Sequence, residues 1–141
     1  MASPSVPCIS LGPMATLTDV ARIAMGMPEV EEGTSYGNRA WKVKGRTFVW
    51  ERPLRPRDEE ELGDRAPDGD VIGVRVEDEM AKEILCDNEG PAVFTVDHFA
   101  GFDAVLIDLE EIGTGLLEDL IEDAWRVMAP ARLRAYPPEG T

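Results

Sequence analysis

The chain has 141 residues, 43% of them apolar, and a formal net charge of −14. That length supports one domain with its own core, burying about two-thirds of the unfolded surface, and the acidity excludes a generally adhesive surface for nucleic acid or anionic lipid. No run reaches the ~18 apolar residues of a membrane span, and the first fifteen residues lack the pattern of a secretion signal, so a reducing cytoplasm is expected.

Residues 1–15 are uncharged, proline-bearing and aperiodic, and are expected to be a disordered extension. A helix should follow, capped by Thr16 or Thr18, with Asp19 in its first turn and Val20, Ile23, Ala24 and Met27 on one stripe, stopped by Pro28. Glu29 to Asn38 reads as a loop, with Gly33 and Gly37 supplying turns.

Arg39 to Trp50 then reads as a β-hairpin turning at Lys44-Gly45, because Gly45 accepts the positive φ such a turn needs. This register sets Val43 opposite Arg46, Lys42 opposite Thr47, Trp41 opposite Phe48 and Ala40 opposite Val49. Trp41, Val43, Phe48 and Trp50 would then face the core together, leaving Ala40, Lys42, Thr47 and Val49 on the other face. Glu51 to Asp70 lacks periodicity and is expected to be a long loop or flap.

Val71 to Val76 alternates as a strand with Ile72, Val74 and Val76 inward. Glu77 to Cys86 reads as a short helix presenting Met80 and Ile84 on one face. Residues 92–96 and 104–109 are the fourth and fifth strands. Thr114 should cap the last helix, whose stripe of Leu116, Leu117, Leu120, Ile121, Ala124, Trp125 and Met128 ends at Pro130. The domain is drawn as residues 16–134, with 135–141 a C-terminal tail. The expected core is Trp41, Phe48, Trp50, Leu116, Leu120 and Trp125.

Several short motifs, taken in this order, resemble the MmcQ/YjbR family of small bacterial proteins. They are Leu17 to Met27 with Pro28-Glu29-Val30-Glu31-Glu32, Ser35-Tyr36-Gly37, Ala40 to Phe48, His98-Phe99-Ala100-Gly101-Phe102, and Glu122 to Arg126 with Ala129-Pro130 before Arg132-Leu133. The resemblance implies an α+β, two-layer fold: an antiparallel five-stranded sheet with helices on one face, in the order α-β-β-β-α-β-β-α. It also implies DNA binding through a double-wing arrangement, as members of the family are commonly described.

The residues allow three candidate sites. Residues 39–57 carry seven basic residues against Glu51 alone, whereas residues 58–141 carry six against twenty-three acids. Arg39, Lys42, Lys44, Arg46, Arg52 and Arg55 could therefore grip DNA phosphates, weakly and with strong salt dependence. The acidic run Asp58 to Glu61, with Asp64, could fold back and mask them. Second, His98 is the only histidine, and Glu31, Glu32 and Tyr36 could meet it in a polar pocket; the resemblance implies recurrent glutamate and histidine positions there. Third, the mildly apolar sheet face of Ala40, Thr47, Val49 and Leu106 could meet a protein partner or a second copy, although a monomer is expected.

No nucleophile elbow, phosphate-cradling glycine loop or zinc-ligand spacing occurs. Cys8 and Cys86 form no disulfide framework, and Cys86 reads as a small core residue. A non-enzymatic binding protein without metal or cofactor is the expectation, with a protein-interaction or small-ligand module as the alternative to DNA.

Overall fold

The computed structural model describes residues 15–134. Its elements are α1 (Leu17–Met25), β1 (Val30–Ser35), β2 (Asn38–Val43), β3 (Arg46–Glu51), α2 (Pro56–Leu62), β4 (Val71–Arg75), α3 (Glu79–Glu89), β5 (Val93–Phe94), β6 (Ala104–Asp108), α4 (Thr114–Met128) and α5 (Ala131–Arg134). The fold is α+β, with one antiparallel sheet in the order β1-β2-β3-β4-β6-β5. There are six strands rather than the expected five.

The extra strand is β1, in the stretch read as a loop. Val-Glu-Glu-Gly-Thr-Ser has one apolar side chain to bury, and its pairing with β2 from Val30↔Val43 to Ser35↔Asn38 supplies the order instead. Both hairpins close on two-residue turns with positive φ throughout: Tyr36-Gly37 at 53° and 82°, and the expected Lys44-Gly45 at 51° and 83°.

The β2–β3 register holds at Val43↔Arg46 and Lys42↔Thr47, then shifts by one, giving Trp41↔Val49 and Ala40↔Trp50. The expected pairs Trp41–Phe48 and Ala40–Val49 are therefore not made. A bulge takes up one extra residue, so Phe48 and Val49 are both fully buried in the main core. Beyond the bulge the alternation is inverted, and Trp50 lies on the other face of the sheet. Gly73, paired with Trp50, makes room for it: a Cβ there would stand 2.5 Å from the indole ring.

The main core joins Trp41, Val43, Phe48, Val49 and the inward residues Ile72, Val74, Val76, Val105 and Ile107 to α1 and α4. Thr16 and Asp19 form a reciprocal cap at the start of α1, whose Val20, Ile23 and Ala24 are buried. In α4, Leu117, Leu120, Ile121, Ala124, Trp125 and Met128 are buried, while Leu116 is only partly so. Full burial of Ile72, Leu117 and Ile121 stabilises by about 1.5–3 kcal/mol each. Trp125 donates its indole N–H to the Pro28 carbonyl at 3.1 Å, fixing α4 against the approach to β1. The N-cap of α4 is Gly113 and not Thr114.

The second sheet face is not open as expected. Ala40 and Leu106 are fully buried, Val49 points to the main core, and a second cluster of Leu62, Val71, Val96, Phe99, Ala104 and Leu106 packs with Trp50, Leu54 and Phe94. Its cover comes from α2 and the 97–102 segment, so helices do not lie on one face only. The expected 51–70 loop contains α2, which starts at Pro56 and is held by the Arg55 amide donating to the Asp58 carboxylate at 3.0 Å.

Helix α3 is turned from its expected phase. Met80 and Ile84 are exposed, and Ala81, Leu85 and Cys86 approach the core. Buried Lys82 sets that phase, since its ammonium donates to the carbonyls of Phe99 (2.6 Å) and Phe102 (3.0 Å).

Candidate functional site

One opening on the second face is a groove of about 320 Å³ between the β1–β2 turn, β3 and the 97–102 segment. Trp50, Phe99 and Phe102 line one wall. Phe99 meets Phe102 edge-on at 5.4 Å between centroids, and Trp50 stands 6.3 and 6.2 Å from Phe99 and Phe102. Lys82 fixes this wall from behind by binding the backbone on either side of Gly101. Tyr36, Asn38 and Thr47 stand on the opposite side. Tyr36 is 99% exposed, an aromatic side chain carried on left-handed backbone.

Two guanidinium groups border the groove. Arg52 is buried, its Nη1 donating to the Asp58 carboxylate at 3.0 Å and to the Pro53 carbonyl at 2.7 Å. Its Cζ lies 5.4 Å from the Phe99 ring centre. The Nη2 of the same group is buried and has no hydrogen-bond acceptor among the described residues. Burial pushes the Asp58 carboxyl up, but hydrogen bonds from the Arg55 amide and the Arg52 guanidinium outweigh it and hold the group below its ordinary value. Arg55 itself is exposed at the groove and makes no ion pair within 4 Å among the described residues.

The sequence-derived pocket is partly assembled. Tyr36 and His98, far apart in the chain, both line this groove, whereas Glu31 and Glu32 do not. Glu31 lies opposite Lys42. Glu32 binds Arg39 at 2.8 Å on the helical side, and that hydrogen bond draws its carboxyl below the usual range.

The basic residues do not form one track. Arg39 is tied to Glu32 and lies 5.1 Å from the centre of the Trp41 ring. Lys44 binds Glu29 at 3.1 Å, and Arg52 is buried against Asp58. Lys42, Arg46 and Arg55 make no ion pair among the described residues; Lys42 shares the groove face with Thr47, while Arg46 lies opposite Val43. The acidic run does not fold back on the hairpin tip: Asp58 binds Arg52, and the Glu61 carboxylate accepts from the Asp97 amide at 3.1 Å. Cys86 is half-buried, and burial pushes its thiol up, as suits a packing residue.

In sequence, Trp50 reads as a core residue and Phe102 as part of a motif, but neither of them, nor Lys82, reads as a site residue. The bulge that redirects Trp50 has no local signal, and Lys82 looks like any helix-surface lysine until the 97–102 segment is in place. Among the described residues no cluster of histidine, cysteine and carboxylates has the geometry of a metal site. No described helix is long and apolar enough to cross a membrane.

A six-stranded antiparallel sheet with a helical layer on one side and a short covered groove on the other is the class of protein these features define. The chain belongs to the YjbR family, whose pattern it matches over residues 25–127. It is similar to the uncharacterized proteins Rv2570 of Mycobacterium tuberculosis and Mb2600 of Mycobacterium bovis. Each is 45% identical over 123 residues, 85% of this chain and 93% of the relative. The crystal structure of Deinococcus radiodurans protein DR2400, with a DUF419 domain, superposes with a TM-score of 0.65 at 16% identity, covering 87% of this chain and 88% of that one. At that identity the likeness concerns the fold alone.

Proposed function

We propose that this protein is a non-catalytic binding module whose ligand site is the groove between the Tyr36-Gly37 turn and the Phe99–Phe102 wall. The observation that carries the reading is the groove's composition: the aromatic side chains of Tyr36, Trp50, Phe99 and Phe102, two guanidinium groups, and the hydroxyl and amide groups of Ser35, Thr47 and Asn38 converge on one concavity. Its volume is at the small end of the roughly 300–1,000 Å³ range of small-molecule sites. The wall is pre-built, because Lys82 and the packing of Phe99 hold it without a ligand. His98 lines the groove without a hydrogen-bond partner among the described residues, so nothing orients it as an acid or base.

The test is an amide-resolved NMR screen of small aromatic fragments against the whole chain. Fragments should shift residues 36–38, 47–52 and 98–102 together, and Phe102→Ala should weaken them. Shifts scattered over the surface, or none, would sink the reading.

A second reading, DNA binding by the hairpin as a wing, is favoured by one observation: Lys42, Arg46 and Arg55 have no ion-pair partner among the described residues. These three cations would give a log–log salt slope of about −2 to −3. Anisotropy of a labelled duplex titrated at several salt concentrations reads that slope. Absence of binding at low salt, or a Lys42, Arg46 and Arg55 to Ala variant that binds equally well, refutes it.

A further inference from the structure

The orphaned amino group of Arg52 narrows the ligand class. Burying a guanidinium with an unused Nη2 is costly, and native interiors seldom leave such donors unpaired. Arg52 lines the groove, and its Nη1 is already committed to Asp58 and Pro53, so Nη2 is the part of the group left to bind something else. Arg55, on the same rim, brings further donors and has no ion pair among the described residues. Both groups are charged and donate only, so the ligand group that meets them must accept, and an oxyanion does so most strongly.

The charges around them set its size. Asp58 balances Arg52, and Glu51 on the groove border offsets Arg55, so no surplus positive charge is present to hold a doubly charged phosphate. A single carboxylate fits. The Trp50 and Phe102 rings, backed by the buried Phe99, offer flat apolar surface to the rest of the molecule.

Resting on the groove reading above, we infer that the site takes a small planar aromatic carboxylate, its ring against Trp50 and Phe102 and its carboxylate between Arg55 and the free Nη2 of Arg52. Nη2 is shielded from water, so binding it requires the groups that cover it to move. Tyr36 adds the cover. An aromatic residue at φ 53° in a two-residue turn, 99% exposed at the groove mouth, gains nothing from the fold and stands where it can close over a bound ring.

The test titrates the full chain with four probes by amide-resolved NMR: 2-naphthoate, the neutral 2-naphthamide, cyclohexanecarboxylate and adenosine 5′-monophosphate. The inference expects 2-naphthoate to shift the groove residues and to bind roughly tenfold more tightly than the amide, one charge-assisted hydrogen bond being lost. The non-planar acid should be weaker as well. Arg55→Gln, at an exposed position that folding does not need, should lower 2-naphthoate affinity by roughly tenfold and leave 2-naphthamide unchanged.

Tyr36→Asn separates a ligand role from a structural one. Asn tolerates left-handed backbone, so the melting temperature should hold or rise while 2-naphthoate affinity falls about threefold. Arg52→Lys, if folded by its NMR spectrum, should behave as Arg55→Gln does. Equal binding of naphthoate and naphthamide overturns the carboxylate inference and leaves the groove reading standing. Tighter binding of the nucleotide overturns it in favour of a phosphate. Failure of every probe to shift the groove overturns it as well; the fragment screen then decides the groove reading separately.

Discussion

Lys82→Met tests the idea that one buried ammonium holds the aromatic wall. Methionine keeps most of the length and apolar volume of the lysine stem but donates nothing. The wild-type ammonium, on a side chain only 5% exposed, donates to the Phe99 carbonyl at 2.6 Å and to the Phe102 carbonyl at 3.0 Å, with Glu79 at 4.0 Å. Hydrogen bonds to a charged group are worth about 1.5–3 kcal/mol each. The Phe102 bond is only part-buried, so water can replace it, whereas the buried Phe99 carbonyl is left without its donor. Relief of the ammonium's desolvation offsets part of the loss. A net destabilisation of about 2–3 kcal/mol follows, or roughly 6–12 °C in melting temperature for a domain of this size.

Urea unfolding of the two proteins measures the global term. Hydrogen exchange of the Ala100 and Phe102 amides, which donate to Asp97 and Phe99, measures the local one. Exchange there should accelerate more than in β4 or β6. A Lys82→Met protein that is equally stable and equally protected in residues 97–102 would refute the clamp, because it would mean that desolvation cancels both bonds.

Asp58→Asn should destabilise near neutral pH and flatten the acid limb of the stability curve. The folded Asp58 carboxyl titrates below its ordinary value, so its stabilisation is complete above about pH 4 and is lost as pH falls through the folded pKa; unfolding at stepped pH values reads this. Asp108 carries the opposite sign. Burial pushes its carboxyl up, so its ionisation costs stability as pH rises through the folded pKa. Asp108→Asn, which keeps an acceptor for the Glu110 amide, should raise the melting temperature at pH 7 and leave it unchanged at about pH 3. Gly73→Ala puts a methyl group 2.5 Å from the Trp50 indole, and calorimetry should find a loss of about 1–3 kcal/mol together with a changed Trp50 fluorescence.

Elements with strong local signals were legible in the sequence. Gly45 marks its turn, Thr16 and Asp19 cap α1, and the 71–76 alternation sends Ile72, Val74 and Val76 into the main core as expected. What stayed hidden was decided by long-range pairing. Strand β1 carries little hydrophobic pattern because a backbone ladder on β2 orders it. The bulge beside Phe48 exists because two adjacent apolar residues could both be buried, and it reverses Trp50. The phase of α3 depends on carbonyls some twenty residues away. The candidate site shares that character: Tyr36 and His98 were legible as loop residues with chemistry, but once β1 forms Glu32 faces the helical side, and Glu31, opposite Lys42, does not line the groove.

The charge pattern also changes meaning once the fold is known. Seven cations between residues 39 and 57 look like a surface for polyanions. The fold assigns Arg39 to Glu32, Lys44 to Glu29 and Arg52 to Asp58, each partner lying within twenty residues in the chain. Two of these pairs are exposed and contribute little to stability. They still hold the positive groups close to carboxylates, which weakens the field a distant phosphate backbone would feel. The third pair is buried, and it orients a guanidinium beside an aromatic wall while leaving one of its amino groups without an acceptor among the described residues. A patch for DNA needs many mobile cations facing one way. A site for a small anion needs one or two fixed donors in a concavity with an apolar wall. This basic stretch matches the second description better than the first.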